Sequence, residues 1–249
     1  GCAIRIYSSD PSKTDYSNVT KTLRGLHIIG PGRDTDTIGV LLERSAMFGL
    51  EDVAIEHFGT GIKFGDYTWS NTIRNVNAYR CGVAIHFPPG TKSAGELLRF
   101  FGCSFFNSKI GLLLEEGHQF SFVECSIDYN RMQIVGRNDA QINLFACHIE
   151  HKTSQMYEGW PMISLRGERS AFRMFGGEYH ISGEYTSDVE PMIFCEGHVA
   201  FIGSKLFNFG GKYLVNGGAS VSLQDYQYTG QTCYKKKPMW FIPKWIYKI

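Results

Sequence analysis

The sequence lacks three features that would each point to a particular class of protein. Its 25 Lys and Arg residues are balanced by 24 Asp and Glu residues, so the formal net charge is only +1. This balance argues against nucleic-acid binding through bulk charge. No apolar stretch approaches the roughly 18 residues that a membrane-spanning helix needs, so we expect no membrane insertion. The 7 cysteines include no CxxC spacing typical of zinc sites, and the lack of a bridging framework favours folding in a reducing compartment.

The composition favours an all-β protein with a large core. Hydrophobic residues make up 43% of the chain and aromatic residues 14%, which excludes a disordered chain. The 28 glycines accompany many short apolar runs that contain Phe and Tyr. This combination is typical of short strands joined by tight turns.

One apolar pattern recurs along the chain at an average interval of about 25 residues, as in LRGLHI from Leu23 and FSFVEC from Phe120. Two or three short strands per period, with no helical segment between them, predict a parallel β-solenoid of about nine coils stacked about 4.8 Å apart. The leucine and asparagine pattern of a leucine-rich repeat is absent, and a β-sandwich would not repeat one pattern nine times. The copies begin at Leu23, Leu50, Ile73, Leu98, Phe120, Ile142, Phe172, Val199 and Val221.

Three cysteines predict the register of successive copies. Cys103, Cys125 and Cys147 are each 22 residues apart, so we expect them to stack inside the solenoid as small buried hydrophobes. Strict alternation then also places positions 101, 105, 123, 127, 145 and 149 inside. On this basis Phe101 is a core residue, and its truncation to Ala is expected to cost roughly 3–5 kcal/mol.

The repeats resemble a known group of proteins. GELLRFFGCSFFNSKIGLLLEEG from Gly95 and HQFSFVECSIDYNRMQIVG from His118 resemble the right-handed single-stranded parallel β-helix of the pectate-lyase-like superfamily. Within it they are most similar to bacteriophage tailspike and capsule-depolymerase proteins, over roughly residues 20–228. The resemblance implies a homotrimer of the virion tail, assembled in the host cytoplasm, that binds and cleaves a bacterial surface polysaccharide. The NTD, DD and GHG motifs of pectinases and a calcium-type aspartate cluster are absent, which argues against polygalacturonase or calcium-dependent pectate-lyase chemistry.

The resemblance divides the chain into three parts. We expect residues 1–22 to form the first coil of a truncated β-helix and residues 23–228 the β-helix itself. Residues 229–249 contain lysines and aromatic residues but no acid. This segment is expected to cap the open end of the solenoid or to contact another subunit, in preference to binding nucleic acid.

Carboxylates and imidazoles concentrate at the predicted outward positions of three successive copies. Adjacent rungs would place Asp128 and Glu150 about 5 Å apart, close to the geometry of a retaining glycosidase, and the diagonal from Glu150 to Glu178 would be about 8 Å, as in an inverting one. The alternative is a solvated polar face on which histidines offset the acids. The outward positions are Glu124, Ser126 and Asp128, then Ala146, His148 and Glu150, then Gly176, Glu178 and His180.

Two long insertions, at residues 151–161 and 181–190, are predicted to wall a groove beside this face. Aromatic side chains suit the apolar faces of sugars, and Arg suits acidic groups. For Trp160, packing under its own loop is the alternative to sugar contact. Asp66, Tyr67 and Trp69 form a second, weaker candidate patch. The predicted substrate-binding residues are Glu124, Tyr129, Arg131, His180, Tyr157, Glu158 and Trp160.

Three functional hypotheses follow. The first is a glycoside hydrolase, without metal or cofactor, in which Glu150 acts with Asp128 or Glu178, and His148 orients them or serves as an alternative base. The second is a polysaccharide lyase with His148, Tyr129 or Arg131 as the base. The third is a non-catalytic adhesin or structural spike that uses the same groove for recognition alone.

Overall fold

The computed structural model describes residues 1–8, 21–116, 119–152, 160–182, 192–207 and 215–229. Within these ranges every regular element is a β-strand. No helix in the described ranges is long and apolar enough to cross a membrane. The predicted C-terminal cap, residues 229–249, lies outside the described residues except for residue 229.

The described ranges contain twenty-six strands. In order they are β1 (Cys2–Ile6), β2 (Thr22–Ile29), β3 (Ile38–Leu42), β4 (Ser45–Ala46), β5 (Gly49–Glu56), β6 (Thr60–Phe64), β7 (Thr68–Trp69), β8 (Thr72–Tyr79), β9 (Val83–Phe87), β10 (Leu98–Phe101), β11 (Ser104–Phe106), β12 (Ile110–Leu114), β13 (Gln119–Val123), β14 (Ser126–Asp128), β15 (Met132–Gly136), β16 (Gln141–Phe145), β17 (His148–Lys152), β18 (Ile163–Leu165), β19 (Ala171–Phe175), β20 (Glu178–Ser182), β21 (Ile193–Cys195), β22 (His198–Ile202), β23 (Lys205–Phe207), β24 (Val215–Asn216), β25 (Ser220–Gln224) and β26 (Gln227–Thr229).

The strands form long parallel sheets in which each strand pairs with its equivalent in the next repeat. One sheet has nine strands, ordered β1-β3-β6-β9-β12-β15-β18-β21-β24. A second sheet has fifteen strands, and within it β8 pairs with both β10 and β11. From β10 onward this sheet therefore has a first half, β10-β13-β16-β19-β22-β25, and a second half, β11-β14-β17-β20-β23-β26. This organisation confirms the predicted parallel β-helix.

The predicted cysteine stack is confirmed, but strict alternation across the two halves of the second sheet is wrong. Cys103, Cys125 and Cys147 are buried. Phe101, however, is only partly buried, while Phe100 is fully buried, so the expectation of a core position at 101 is overturned. The physical reason is the corner residue Gly102, whose φ of 57° is left-handed and shifts the inward phase by one position.

The same corner occurs in the next two repeats, so strict alternation assigns the residue before the corner to the wrong side there as well. Glu124 has a φ of 53° and Ala146 a φ of 50°, although neither is glycine. Val123 and Phe145, predicted to be inside, face outward, and Phe145 is 39% exposed. After the corner the predicted phase is correct, which matters because the candidate site lies on the second half of the sheet.

Candidate active site

Two outward columns on the second half of the second sheet carry the candidate site. Asp128 pairs with Glu150, and Glu150 pairs with His180. In the neighbouring column His148 stands between Ser126 and Glu178. The register therefore places Asp128 and Glu150 on adjacent rungs and Glu178 diagonal to Glu150, as the repeat spacing predicts.

Asp128 is enclosed by hydrogen-bond donors. Its Oδ1 accepts a 2.7 Å hydrogen bond from the backbone N–H of Glu150 and lies 3.1 Å from Nδ1 of His148. Its Oδ2 accepts from the hydroxyl of Ser126. Only 14% of the Asp128 side chain is exposed. The carboxylate is thus fixed from three sides, with its remaining surface open to the outward face.

The contact with Asp128 shifts the pKa of His148. The hydrogen bond to Asp128 raises the pKa of His148 above its ordinary value, against the opposing effect of partial burial. The negative charges of Asp128, Glu150 and Glu178 act in the same direction as the hydrogen bond. These effects favour the protonated imidazolium form of His148, which contacts the Asp128 carboxylate and lies near those of Glu150 and Glu178.

Glu150 is held through both its side chain and its backbone. The Tyr129 hydroxyl hydrogen-bonds its carboxylate, which together with burial raises the pKa of Tyr129 to about 12. The backbone carbonyl of Glu150 accepts from the backbone N–H of Tyr129 at 2.9 Å and from Nε2 of Gln133 at 2.8 Å. On the far side, Nδ1 of His180 lies 3.9 Å from Oε1 of Glu150. The Glu150 side chain is 18% exposed, so it resembles Asp128 in being largely enclosed.

Glu178 has different surroundings from the other two acids. Its Oε1 lies 3.2 Å from Nζ of Lys205 in the next repeat. Its side chain is 42% exposed. The structure therefore brings Asp128 and Glu150 together as an enclosed pair and leaves Glu178 in a surface ion pair.

The remaining predicted binding residues are not all at this site. Glu124 is exposed at the left-handed corner, outside the two columns. Arg131 is exposed. Its positive charge helps to lower the pKa of Asp34, although Lys109 and Arg33 have larger effects. Trp160 is 56% exposed. Tyr157 and Glu158 lie outside the described residues.

The weaker patch near residue 67 has local partners. The Arg44 guanidinium lies 5.3 Å from the centre of the Tyr67 ring. Oδ1 of Asp66 accepts a 2.9 Å hydrogen bond from the backbone N–H of Lys92. These contacts give Asp66 and Tyr67 structural roles in their turns. In the part of the chain that the structure describes, no three His, Cys, Asp or Glu side chains form a group that could hold a metal ion.

Aromatic residues continue the Asp128 column in both directions, and the sequence analysis missed them. Phe106 pairs with Asp128, and Tyr79 pairs with Phe106. The rings of Tyr79 and Phe106 are stacked, 4.8 Å apart. At the other end the Phe207 ring lies edge-on to His180 at 5.8 Å. The spacing of 22 residues that aligns the cysteines also aligns Phe106 with Asp128, so this signal was present in the sequence.

Comparison with known proteins gives two relatives and no match to a family model. A Klebsiella pneumoniae protein described as an uncharacterised 65.4 kDa protein in the cps region is 29% identical over 157 residues, which cover 60% of this chain and 26% of that protein. A capsule K2-specific depolymerase of Klebsiella phage vB_KpnP_KpV74 is 24% identical over 185 residues, which cover 69% of this chain and 32% of the depolymerase. The chain thus spans about a third or less of these relatives. Together with the parallel β-helix, the similarity to a capsule depolymerase confirms the resemblance that the repeats predict.

Proposed function

We propose that this chain is the glycan-cleaving β-helix of a phage capsule depolymerase, and that Asp128 and Glu150 hydrolyse the polysaccharide. The observation that carries the proposal is the enclosed pair itself. Asp128 and Glu150 occupy adjacent rungs, whose backbones are about 4.8 Å apart in a sheet, and both carboxylates face outward among hydrogen-bond donors. Like charges so placed are unfavourable on a plain surface, but they suit a pair that divides the acid and anion roles.

The contacts suggest which carboxylate takes which role. Asp128 accepts from Ser126, from the Glu150 backbone and from His148, which suits the anionic member of the pair. Glu150 is then the proton donor. In this mechanism Glu150 protonates the glycosidic oxygen while an Asp128 oxygen bonds to the anomeric carbon and the glycosidic bond breaks. Glu150 next takes a proton from water, whose oxygen displaces Asp128. Neighbouring rungs are about as far apart as the two carboxyl groups of a retaining glycosidase, roughly 5 Å, which supports such a double displacement.

A polysaccharide lyase is the second candidate, and the structure leaves few of the predicted residues able to act as its catalytic base. Elimination next to a uronate carboxylate needs a group that accepts the proton from C5. The hydrogen bond to Glu150 and burial raise the pKa of Tyr129 to about 12, so Tyr129 holds its proton too tightly to be the resting base. His148, polarised by Asp128, is the remaining candidate of the predicted set within the described site.

The proposal is tested with a panel of purified Klebsiella capsular polysaccharides. We expect one of them to lose chain length on incubation, measured by size-exclusion chromatography with light scattering, and to gain reducing ends without ultraviolet absorbance. Absorbance of a new C4–C5 double bond would identify the lyase instead. Retention of a polysaccharide without shortening would show a binding protein and overturn the enzymatic proposal.

We also propose that the chain assembles as a homotrimer in a phage tail. The first half of the second sheet supports this, because its outward column is apolar over five successive rungs. The Phe145 and Phe175 rings in that column are stacked 5.0 Å apart. Sedimentation equilibrium is expected to give three times the chain mass, and a monomer would contradict the proposal. The column consists of Phe101, Val123, Phe145, Phe175 and Ile202.

A further inference from the structure

A buried polar network contacts Glu150 from the inner side of the sheet. Gln133, in β15 of the first sheet, is fully buried and reaches the second sheet with its side-chain amide. Its Nε2 donates a 2.8 Å hydrogen bond to the backbone carbonyl of Glu150 and lies 3.0 Å from Nδ1 of His151. Its Oε1 lies 2.8 Å from Nδ2 of Asn130. The backbone of the proposed acid is therefore bonded to a side chain from the opposite sheet.

A backbone group at the end of the network decides which atom of each amide donates. The backbone N–H of Ser108 lies 2.8 Å from one amide atom of Asn130, which must be the oxygen because a backbone N–H only donates. The other amide atom of Asn130 is then the nitrogen, so the atom of Gln133 that it contacts is the oxygen. The Gln133 nitrogen accordingly donates one hydrogen to the Glu150 carbonyl and one to His151.

The same order of donors determines the state of His151. Because Nδ1 of His151 accepts from Gln133, the ring is neutral and its proton is on Nε2. The side chain is fully buried, and burial lowers its pKa to about 4, which agrees with a neutral ring. Nε2 has no hydrogen-bond partner among the described residues. A buried donor without a partner costs stability, so stability alone does not explain a histidine at this position.

Gln133 and His151 both depart from the repeat. The position of Gln133 is occupied by glycine or alanine in the four preceding repeats and by methionine in the next two. His151 is equivalent to Tyr129, which turns the corner with a φ of 55°, but His151 continues β17 and pairs with Ile181. Two changes in the repeat thus meet at Glu150. The residues equivalent to Gln133 are Gly39, Gly61, Ala84, Gly111, Met162 and Met192.

Glu150 is held on both sides of its Cα atom. Its backbone N–H donates to Oδ1 of Asp128 at 2.7 Å. Its carbonyl accepts from Gln133 and from the backbone N–H of Tyr129. These bonds together fix the direction in which the Glu150 side chain leaves the backbone, and with it the placement of Glu150 relative to Asp128. A displacement of about 1 Å at a catalytic group can lower the rate by about 100-fold.

We propose that Gln133 is a positioning residue for Glu150, and that His151 holds the Gln133 amide in the orientation that this role requires. The effect on catalysis rests on the proposed function, whereas the network itself does not. Both side chains are fully buried, so a glycan on the outward face touches neither of them. Loss of the Gln133 contact should therefore lower the rate of bond cleavage and leave glycan binding unchanged.

Gln133→Met tests this role. Methionine is similar in size to glutamine and is buried at the equivalent position in the next two repeats, where Met162 and Met192 are each 1% exposed. The variant therefore keeps the packing and removes the amide. On the capsular polysaccharide that the unmodified chain cleaves, we expect kcat to fall by about tenfold or more and KM to change by less than about twofold.

Asn71→Leu is the matched control. Asn71 is also fully buried, and its amide hydrogen-bonds to backbone groups. It immediately precedes β8, which is three strands from β17 in the second sheet. This variant also loses a buried amide but should keep the kcat of the unmodified chain. An unchanged kcat in Gln133→Met, or an equal loss in both variants, would overturn the positioning role.

Two NMR measurements separate the network from the proposed hydrolase. Long-range ¹H–¹⁵N spectra of the unmodified chain near neutral pH should show the His151 proton on Nε2, and a proton on Nδ1 would overturn the network. The backbone amide signal of Glu150 should shift in Gln133→Met but not in Asn71→Leu. An unmoved signal in Gln133→Met would overturn the contact with Glu150. If both NMR results are as expected but no capsular polysaccharide is cleaved, the network is retained and the proposed hydrolase is rejected.

Discussion

At the scale of single residues, the candidate site depends on how two like charges are kept on adjacent rungs. Asp128 is held by Ser126, His148 and the Glu150 backbone, while Glu150 is held by Tyr129. Hydrogen bonds to charged groups are worth about 1.5–3 kcal/mol each, more than exposed ion pairs. The donors therefore offset the repulsion, and the face tolerates a carboxylate pair.

Replacing the proposed acid should remove activity and leave the fold intact. Glu150→Gln keeps the size of the side chain and its outward position, so we expect a loss of at least about 100-fold in cleavage rate, the usual scale of general acid catalysis. The melting temperature should change little. Chain shortening measured by light scattering and thermal unfolding give the two readouts. Glu96→Gln, at an exposed position away from the site, is the control, and full activity in Glu150→Gln would remove Glu150 from the mechanism.

The buried His151 gives a pH dependence of stability with a definite sign. Its side chain is fully buried, and burial lowers its pKa to about 4. The unfolded chain takes up a proton near the ordinary value of about 6.5, so the free energy of unfolding should fall as pH decreases from 6.5 towards 4, by up to roughly 3 kcal/mol. Urea unfolding at a series of pH values measures this slope. His151→Gln should lose it, and an unchanged slope in that variant would contradict the assignment.

His148 should act in the opposite direction. Its pKa is raised in the folded chain, so its contribution to stability is complete below about pH 6.5 and is lost as pH rises through the folded value. The side chain is 38% exposed, and solvent screening keeps this contribution smaller than that of His151. Measuring His148→Gln beside His151→Gln separates the two effects.

At the scale of elements, the corner between the two halves of the second sheet decides which side chains form the core. Phe100 is fully buried and stacks on Phe122 at 4.5 Å, whereas Phe101 faces outward under Arg74. One left-handed residue between two short strands therefore exchanges the roles of two adjacent phenylalanines.

The corner gives a direct comparison between neighbouring truncations. Phe100→Ala should cost about 3–5 kcal/mol in the free energy of unfolding, as for other buried aromatic side chains. Phe101→Ala should cost about 1 kcal/mol or less, because little of its contact area lies in the core. Urea unfolding of both variants provides the measurement. Equal losses, or a larger loss at Phe101, would mean that the corner does not set the register.

The sequence predicts the fold from its recurring apolar pattern, and it predicts the pairing of Asp128 with Glu150 because the repeats that carry them are evenly spaced. The interval of 22 residues between cysteines also relates Asp128 to Glu150, so the register followed from counting. Alternation failed across the corner because Glu124 and Ala146 adopt a left-handed conformation without being glycine. The contact of Gln133 with Glu150 was missed because it joins an inward polar side chain of one sheet to the backbone of the other, which no repeat pattern predicts.

At the scale of the whole molecule, a near-neutral chain carries its functional groups on particular columns. Glu56, the stacked rings of Tyr79 and Phe106, and the carboxylate pair follow one another along one column. The apolar column of Phe145 and Phe175 lies across the corner, on the other half of the sheet. The net charge of the chain does not reveal this separation between the polar column, where we propose that a glycan binds, and the apolar column, where we propose that another subunit packs.

A crystal structure of Glu150→Gln with an oligosaccharide obtained from the capsule that the unmodified chain degrades would test the proposed site most directly. We expect a sugar chain along the column that contains Asp128. Its glycosidic oxygen should be within hydrogen-bonding distance of residue 150, and its anomeric carbon should face Asp128. An oligosaccharide bound on another face, or one that crosses the column without approaching Asp128, would rule out Asp128 and Glu150 as the catalytic pair.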